Sequence, residues 1–160
     1  MSIVHPINPL YNDNTTRLIL GSFPSVKSRE QAFFYGHPQN RFWRVLADVF
    51  KSEIPKTIDD KKQLVLNNGL GLWDVIGSCD IIGSSDSSIK NVVPNDLSVI
   101  LNGCNIKKIF VNGKTAEKYY IKYIEPKIGI KAILLPSTSP ANAAWSYDKL
   151  LEEWKIIRRE

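Results

Sequence analysis

Arg17-Leu18-Ile19-Leu20-Gly21-Ser22-Phe23-Pro24 is an apolar run that halts at a glycine and opens into a polar loop. An apolar stretch without alternation is what a strand buried on both faces looks like, and such strands belong to parallel sheets covered by helices. The loop then carries a tight aromatic cluster, Phe33-Phe34-Tyr35, followed by Gly36-His37-Pro38-Gln39-Asn40. Asn40 suits the N-cap of a helix in which Phe42, Val45, Leu46, Val49 and Phe50 recur on one face. A buried strand, a long loop and a helix, in that order, describe a ligand site at the carboxyl edge of a parallel sheet. Aromatics, one His and one Asn gathered there suit a flat, hydrogen-bonding ligand such as a nucleobase.

On either side of this stretch strands and helices alternate. Residues 1–15, rich in Asn, Pro and turn formers, read as an irregular lead-in. Asp59 or Asp60 can cap a second helix that buries Leu64 and Leu66 and stops at Gly69. Residues 71–76 form the second strand, and 83–88 are the most loop-like part of the chain. Pro94 and Asn95 open a helix to about Asn102, with Leu97, Ile100 and Leu101 inward. Residues 108–112 are the third strand. Residues 115–124 are helical, with Ala116, Tyr119, Tyr120 and Tyr123 along them. Residues 131–135 are the fourth strand, stopped by Pro136, and a last helix turns Leu150, Leu151, Trp154 and Ile157 inward. The alternation predicts an α/β protein, a three-layer sandwich around a mainly parallel four-stranded sheet.

The 160 residues suit a single domain, 1–160, with one ordinary core. Hydrophobic content of 43% and charged content of 23% are those of a soluble globular chain. No apolar run approaches the roughly 20 residues of a membrane span. The first residues lack the basic and apolar regions of a signal peptide, so a cytoplasmic location is expected. Two cysteines, Cys79 and Cys104, and two histidines, His5 and His37, are too few for an iron–sulfur cluster or a His/Cys zinc site. No metal and no cofactor are expected, and both cysteines read as core residues. The net charge of +5 serves ordinary solubility, and is also the right sign for a polyanionic partner.

Three predicted strands end in polar, turn-forming sequences: Gly21-Ser22-Phe23-Pro24, Asn112-Gly113-Lys114-Thr115 and Pro136-Ser137-Thr138-Ser139-Pro140. In a parallel sheet these ends share one rim, where such folds bind ligands. Gly113-Lys114-Thr115 ends like a phosphate loop, but that motif needs a glycine where this chain has Lys108. Asn112 offers the donor and acceptor that the edge of a purine or uracil demands, or else it is a plain Asn–Gly turn residue. Tyr35 and Phe23 can stack on a flat ring, or serve the core instead. His37, before Pro38, reads as a structural hydrogen-bonding residue, and Trp43 as a packed one.

The strand end with His37-Pro38-Gln39-Asn40-Arg41-Phe42-Trp43 resembles the uracil-DNA glycosylase superfamily, whose mismatch-specific uracil/thymine enzymes carry a similar His-Pro-x-Asn-Arg-Phe-Trp segment. Residues 134–140 resemble that family's second motif, a loop that enters the DNA helix. The first motif departs from the mismatch enzymes, since Phe23 stands where they have a water-activating Asn. The second has Ser137 where the most active uracil enzymes have His. The combination of Gly-Ser-Phe-Pro-Ser, Phe-Tyr-Gly-His-Pro-Gln-Asn-Arg-Phe-Trp and Val-Asn-Gly-Lys-Thr-Ala resembles the hypoxanthine (deoxyinosine) DNA glycosylase branch.

The resemblance implies a uracil-DNA glycosylase-like fold and a monofunctional enzyme that releases deaminated bases from DNA. It makes Asn40 the catalytic residue and Asn112 the second functional Asn. Gly21, Ser22, Phe23 and Tyr35 would complete the base pocket. Arg41, Lys114, Ser137, Thr138, Ser139, Pro140 and Asn142 would meet the DNA, with 137–142 as the wedge loop. A neutral Asn is no general base, but its carbonyl can orient a water. The partner is then DNA containing deaminated bases, bound by a monomer away from any membrane. Three other readings stay open: a uracil or mismatch glycosylase, a non-catalytic nucleic-acid-binding protein of the same fold, and a flavodoxin-like small-molecule enzyme.

Overall fold

The computed structural model describes residues 2–159. Along the chain come β1 (Ile3–Val4), β2 (Arg17–Gly21), α1 (Val26–Gln31), α2 (Phe42–Val49), α3 (Ile58–Leu66), β3 (Leu70–Asp74) and β4 (Ile76–Asp80). There follow β5 (Lys90–Pro94), α4 (Ser98–Gly103), β6 (Lys108–Asn112), α5 (Lys114–Tyr123), α6 (Glu125–Ile128), β7 (Ala132–Leu135) and α7 (Tyr147–Trp154). The apolar run β2 is central in a four-stranded sheet of order β3-β2-β6-β7, every pair parallel. Its side chains alternate between two cores. Ile19 joins Leu72 and Phe110 beneath Leu46, Leu150 and Trp154, whereas Leu18 and Leu20 join Ile109 and Val111 against Ile100, Ala116 and Tyr120. Helices on both faces of a parallel sheet make the expected three-layer α/β sandwich.

On α2 the apolar stripe is buried as its spacing predicts, with Phe42, Trp43, Val45, Leu46, Ala47 and Val49 inside. Cys79 is buried and Cys104 half-buried, both unpaired. In α3 the cap is Thr57, whose hydroxyl accepts from the Asp60 amide, and Asp59 and Asp60 occupy the first turn instead. Carboxylates there are favoured by the helix dipole.

A second sheet, of order β1-β4-β5 and antiparallel, is a feature that the sequence reading lacks. The strand expected at residues 71–76 ends at Asp74, and after Val75 the chain continues as β4. Part of the lead-in is β1, and a further bridge ties Leu10 to Leu72, so this segment is not wholly irregular. Pro94 closes β5 rather than opening a helix; α4 begins at Ser98, where the Asp96 carboxylate accepts from the Ser98 amide. Gly77, Ser78, Asp80 and Asn91 are poor strand formers, and pairing within a hairpin overrides that preference. Helix α1 lies inside the long loop, started by Ser25, whose hydroxyl accepts from the Ser28 amide.

At the amino edge of the main sheet, Arg17 is buried. Its guanidinium donates to the carbonyl oxygens of Asn68, just past α3, and Ile157, just past α7. The carboxyl edge lies at the opposite end of the strands and holds the site.

Candidate active site

A cleft of about 820 Å³ opens at the carboxyl ends of β2, β3, β6 and β7. Gly21, Asp74 and Asn112 end their strands within it, and all three predicted loops line it. The far wall comes from the loop joining β4 to β5, through Ile81, Ser84 and Asp86. That wall is tied to α1, since the Val26 amide donates to the Ser84 hydroxyl and the Arg29 guanidinium to the Gly83 carbonyl.

Asn112 is buried and held by one residue. Its Nδ2 donates to Thr138 Oγ1 and its Oδ1 accepts from the Thr138 amide, each at 3.0 Å. The pairing uses one N–H and one lone pair, and leaves one of each for a ligand. Thr138, expected at the DNA, is completely buried and positions Asn112 instead. Gly113, which follows, has φ 96°, and a Cβ there would stand 3.0 Å from Ser137 Cβ, so the close approach of the two loops requires glycine.

Asn40 lines the same cleft, half-buried. The backbone cap of α2 is Arg41, but the capping oxygen is Asn40 Oδ1, which accepts from the Phe42 amide at 2.9 Å. This bond fixes the carboxamide and leaves one Oδ1 lone pair and the Nδ2 hydrogens uncommitted. His37 also lines the cleft, and its Nδ1 accepts from the Gln39 amide.

The aromatics are arranged differently from a pair of stacking plates. The Tyr35 ring is stacked on Phe42, centroids 3.9 Å apart, and its backbone is left-handed with φ 53°. Its hydroxyl lies at the cleft, buried, with the Asn112 amide as its polar neighbour and no hydrogen bond of good geometry among the described residues. Burial, reinforced by the charge of Asp74 and opposed by the Asn112 amide, holds this phenol well above its ordinary pKa. Phe23 is half-buried; its ring meets the His5 edge at 5.9 Å and carries the Arg29 guanidinium at 5.6 Å.

Among the expected DNA contacts, Arg41 is already engaged. Its guanidinium donates to the carbonyls of Trp145 at 2.6 Å and Asn142 at 3.1 Å, and its amide donates to the Thr138 carbonyl. It clamps the loop after β7 instead of reaching outward. That loop is also knitted internally: the Asn142 side chain donates to the Ser137 carbonyl, and the Ser139 amide to the Ser137 hydroxyl. Pro140 starts a 3₁₀ turn, with Trp145 exposed beyond it on the cleft rim. Lys114 is exposed on the rim at the start of α5.

Asp74 and His5 escaped the sequence reading. Asp74, only 4% exposed, takes its Oδ2 to His5 Nε2 at 2.7 Å. Because His5 Nδ1 accepts from the Ile7 amide, the ring hydrogen lies on Nε2 and is donated to the carboxylate. Asp74 Oδ1 hangs over Gly21, 2.4 Å from where a Cβ of residue 21 would be, with the Tyr35 hydroxyl 3.2 Å from that point. The signal was an acidic residue inside the apolar run Leu70-Gly71-Leu72-Trp73-Asp74-Val75-Ile76, a position that rarely keeps a charge without a use.

Comparison with known proteins agrees with this fold. The model of the family described as the uracil DNA glycosylase superfamily matches residues 9–159. A hypoxanthine DNA glycosylase from Methanosarcina acetivorans is 34% identical over 153 residues, covering 92% of this chain and 93% of that protein. One from Methanosarcina barkeri is 32% identical over 136 residues, covering 84% and 85%. The solution structure of a uracil DNA glycosylase candidate from Methanosarcina acetivorans superposes with a TM-score of 0.83 at 30% identity, covering 99% of this chain and 98% of that one.

Proposed function

From the premise that this chain belongs to the uracil DNA glycosylase superfamily, we propose that it is a monofunctional DNA glycosylase whose main substrate is deoxyinosine. The observation that carries the reading is the convergence of two side-chain amides, Asn40 and Asn112, on one cleft at the carboxyl edge of the sheet.

A nucleotide turned out of the duplex enters the cleft at a cost of a few kcal/mol, least for a mismatched or damaged base. Asn112, held by Thr138, meets the base edge. Asn40, held by the Phe42 amide, uses its remaining Oδ1 lone pair to orient a water toward C1′. The C1′–N9 bond breaks with its electron pair on the base, and the sugar becomes oxocarbenium-like. Water oxygen bonds to C1′, and the proton it sheds ends on the departing hypoxanthine. The nucleophile is water, so base release leaves the strand intact. Lys114 neutralises phosphate at the rim and Ser137, Ser139, Pro140 and Asn142 form the face of the loop presented to the duplex. The enzyme acts as a single-domain monomer in the cytoplasm, without a metal or cofactor.

Duplexes carrying deoxyinosine, uracil or a G·T mismatch test this. Alkali-labile abasic sites should form fastest from deoxyinosine, with no cleavage before alkali. Asn40→Ala should lower the rate by about 10²-fold, the loss expected when a positioned water is released. An Asn40→Ala protein as fast as the wild type would remove Asn40 from this role.

A further inference from the structure

A buried hydroxyl without a partner needs an explanation, and so does a backbone held in the left-handed region by a bulky residue. Tyr35 shows both, with φ 53° and an unbonded hydroxyl at the cleft. The hydroxyl and Asp74 Oδ1 lie together over Gly21, where the absence of a side chain leaves them room. Asp74 Oδ2 is taken by His5, and no hydrogen bond to Oδ1 is found among the described residues. The cleft floor therefore offers a neutral O–H donor beside a carboxylate acceptor.

Resting on the glycosylase reading, we propose that Tyr35 Oη and Asp74 Oδ1 are the specificity determinants that recognise the 6-oxo and N1–H groups of an everted 6-oxopurine. Hypoxanthine presents an acceptor at O6 next to a donor at N1. Adenine presents the reverse, an amino donor next to a bare N1 acceptor, and would set its N1 lone pair against the carboxylate. A site built to hydrogen-bond two groups rejects the analogue that lacks them far more strongly than an apolar pocket rejects a change in size. Guanine shares this edge, and its full pairing with cytosine protects it by making extrusion costly. Asn112, on the same floor, supplies its uncommitted N–H as a second contact.

The test compares kcat/KM for duplexes carrying deoxyinosine with those carrying deoxynebularine, whose base lacks O6 and has a bare N1. Tyr35→Phe removes one oxygen and should cost about tenfold or more on deoxyinosine, with a smaller loss on deoxynebularine. Asp74→Asn should shift the ratio further towards deoxynebularine. His5 Nε2–H holds the oxygen of the new amide, so its Nδ2 turns to the cleft and donates to N1 where the carboxylate accepted. Unfolding midpoints check that the variants fold, and the Tyr35→Phe ratio decides the matter if Asp74→Asn does not. A ratio unchanged from the wild type, or equal losses on both substrates, overturns the proposal. A wild-type protein that releases neither base overturns the glycosylase reading on which it stands.

Discussion

Asn112 can meet a ligand in one orientation only if something prevents its amide from turning, and Thr138 holds it at both ends. Thr138→Val keeps the side-chain shape and the backbone N–H but deletes the acceptor for Nδ2. In a buried setting, a donor left unpaired costs about 1–3 kcal/mol, which urea unfolding would read. The same change should lower kcat/KM on deoxyinosine about tenfold, because the amide gains a second orientation. A variant with wild-type stability and rate would show that Thr138 does not set the Asn112 rotamer. At this scale the sequence was legible where function sits in a compact segment. Asn40 and Asn112 were singled out by the resemblance of their short segments to a known family, and both line the cleft. From its own setting Asn112 read as either a ligand residue or a turn residue. Asp74 was missed despite its place in an apolar run, because its partner His5 lies 69 positions away and only the folded chain brings them together.

The loop after β7 and the start of α5 are neighbours on the rim, and their basic residues do different work. Lys114 is exposed, whereas Arg41 is tied to the Asn142 and Trp145 carbonyls. Lys114→Met should weaken binding to any duplex and reduce the slope of log K against log salt by about one. Arg41→Met should leave that slope unchanged while slowing base release from duplex DNA, because the loop loses its clamp. Equal slopes in the two variants would put both side chains on phosphate, or neither. Elements defined by long apolar runs were legible, namely β2, β6, β7, α2 and α7. The hairpin of β4 and β5 was not, since its strands rest on pairing with each other and with β1 rather than on apolar pattern. The missed hairpin supplies the far wall of the cleft, so the sequence reading foresaw three loops of the site and not its fourth side.

Across the whole molecule, stability and chemistry occupy opposite ends of the sheet. Arg17 binds the chain past α3 and α7 at the amino edge, and the cleft lies at the carboxyl edge. Arg17→Met leaves buried carbonyls without their donor and should cost about 2–4 kcal/mol of unfolding free energy. Its kcat on deoxyinosine should match the wild type at temperatures well below the transition; a matching loss of kcat would show that the two ends are coupled. The parallel order of the sheet was legible because four strands alternate with helices, but the two-ended division was not, since Arg17 read simply as the first residue of a strand. Arg17 also has a bearing on biosynthesis. Ile157, which accepts from it, lies 140 positions further along the chain, so the clasp cannot close until every element between them has been synthesised. Closing so distant a contact carries a loop-closure cost that the packing of the intervening strands and helices must first offset.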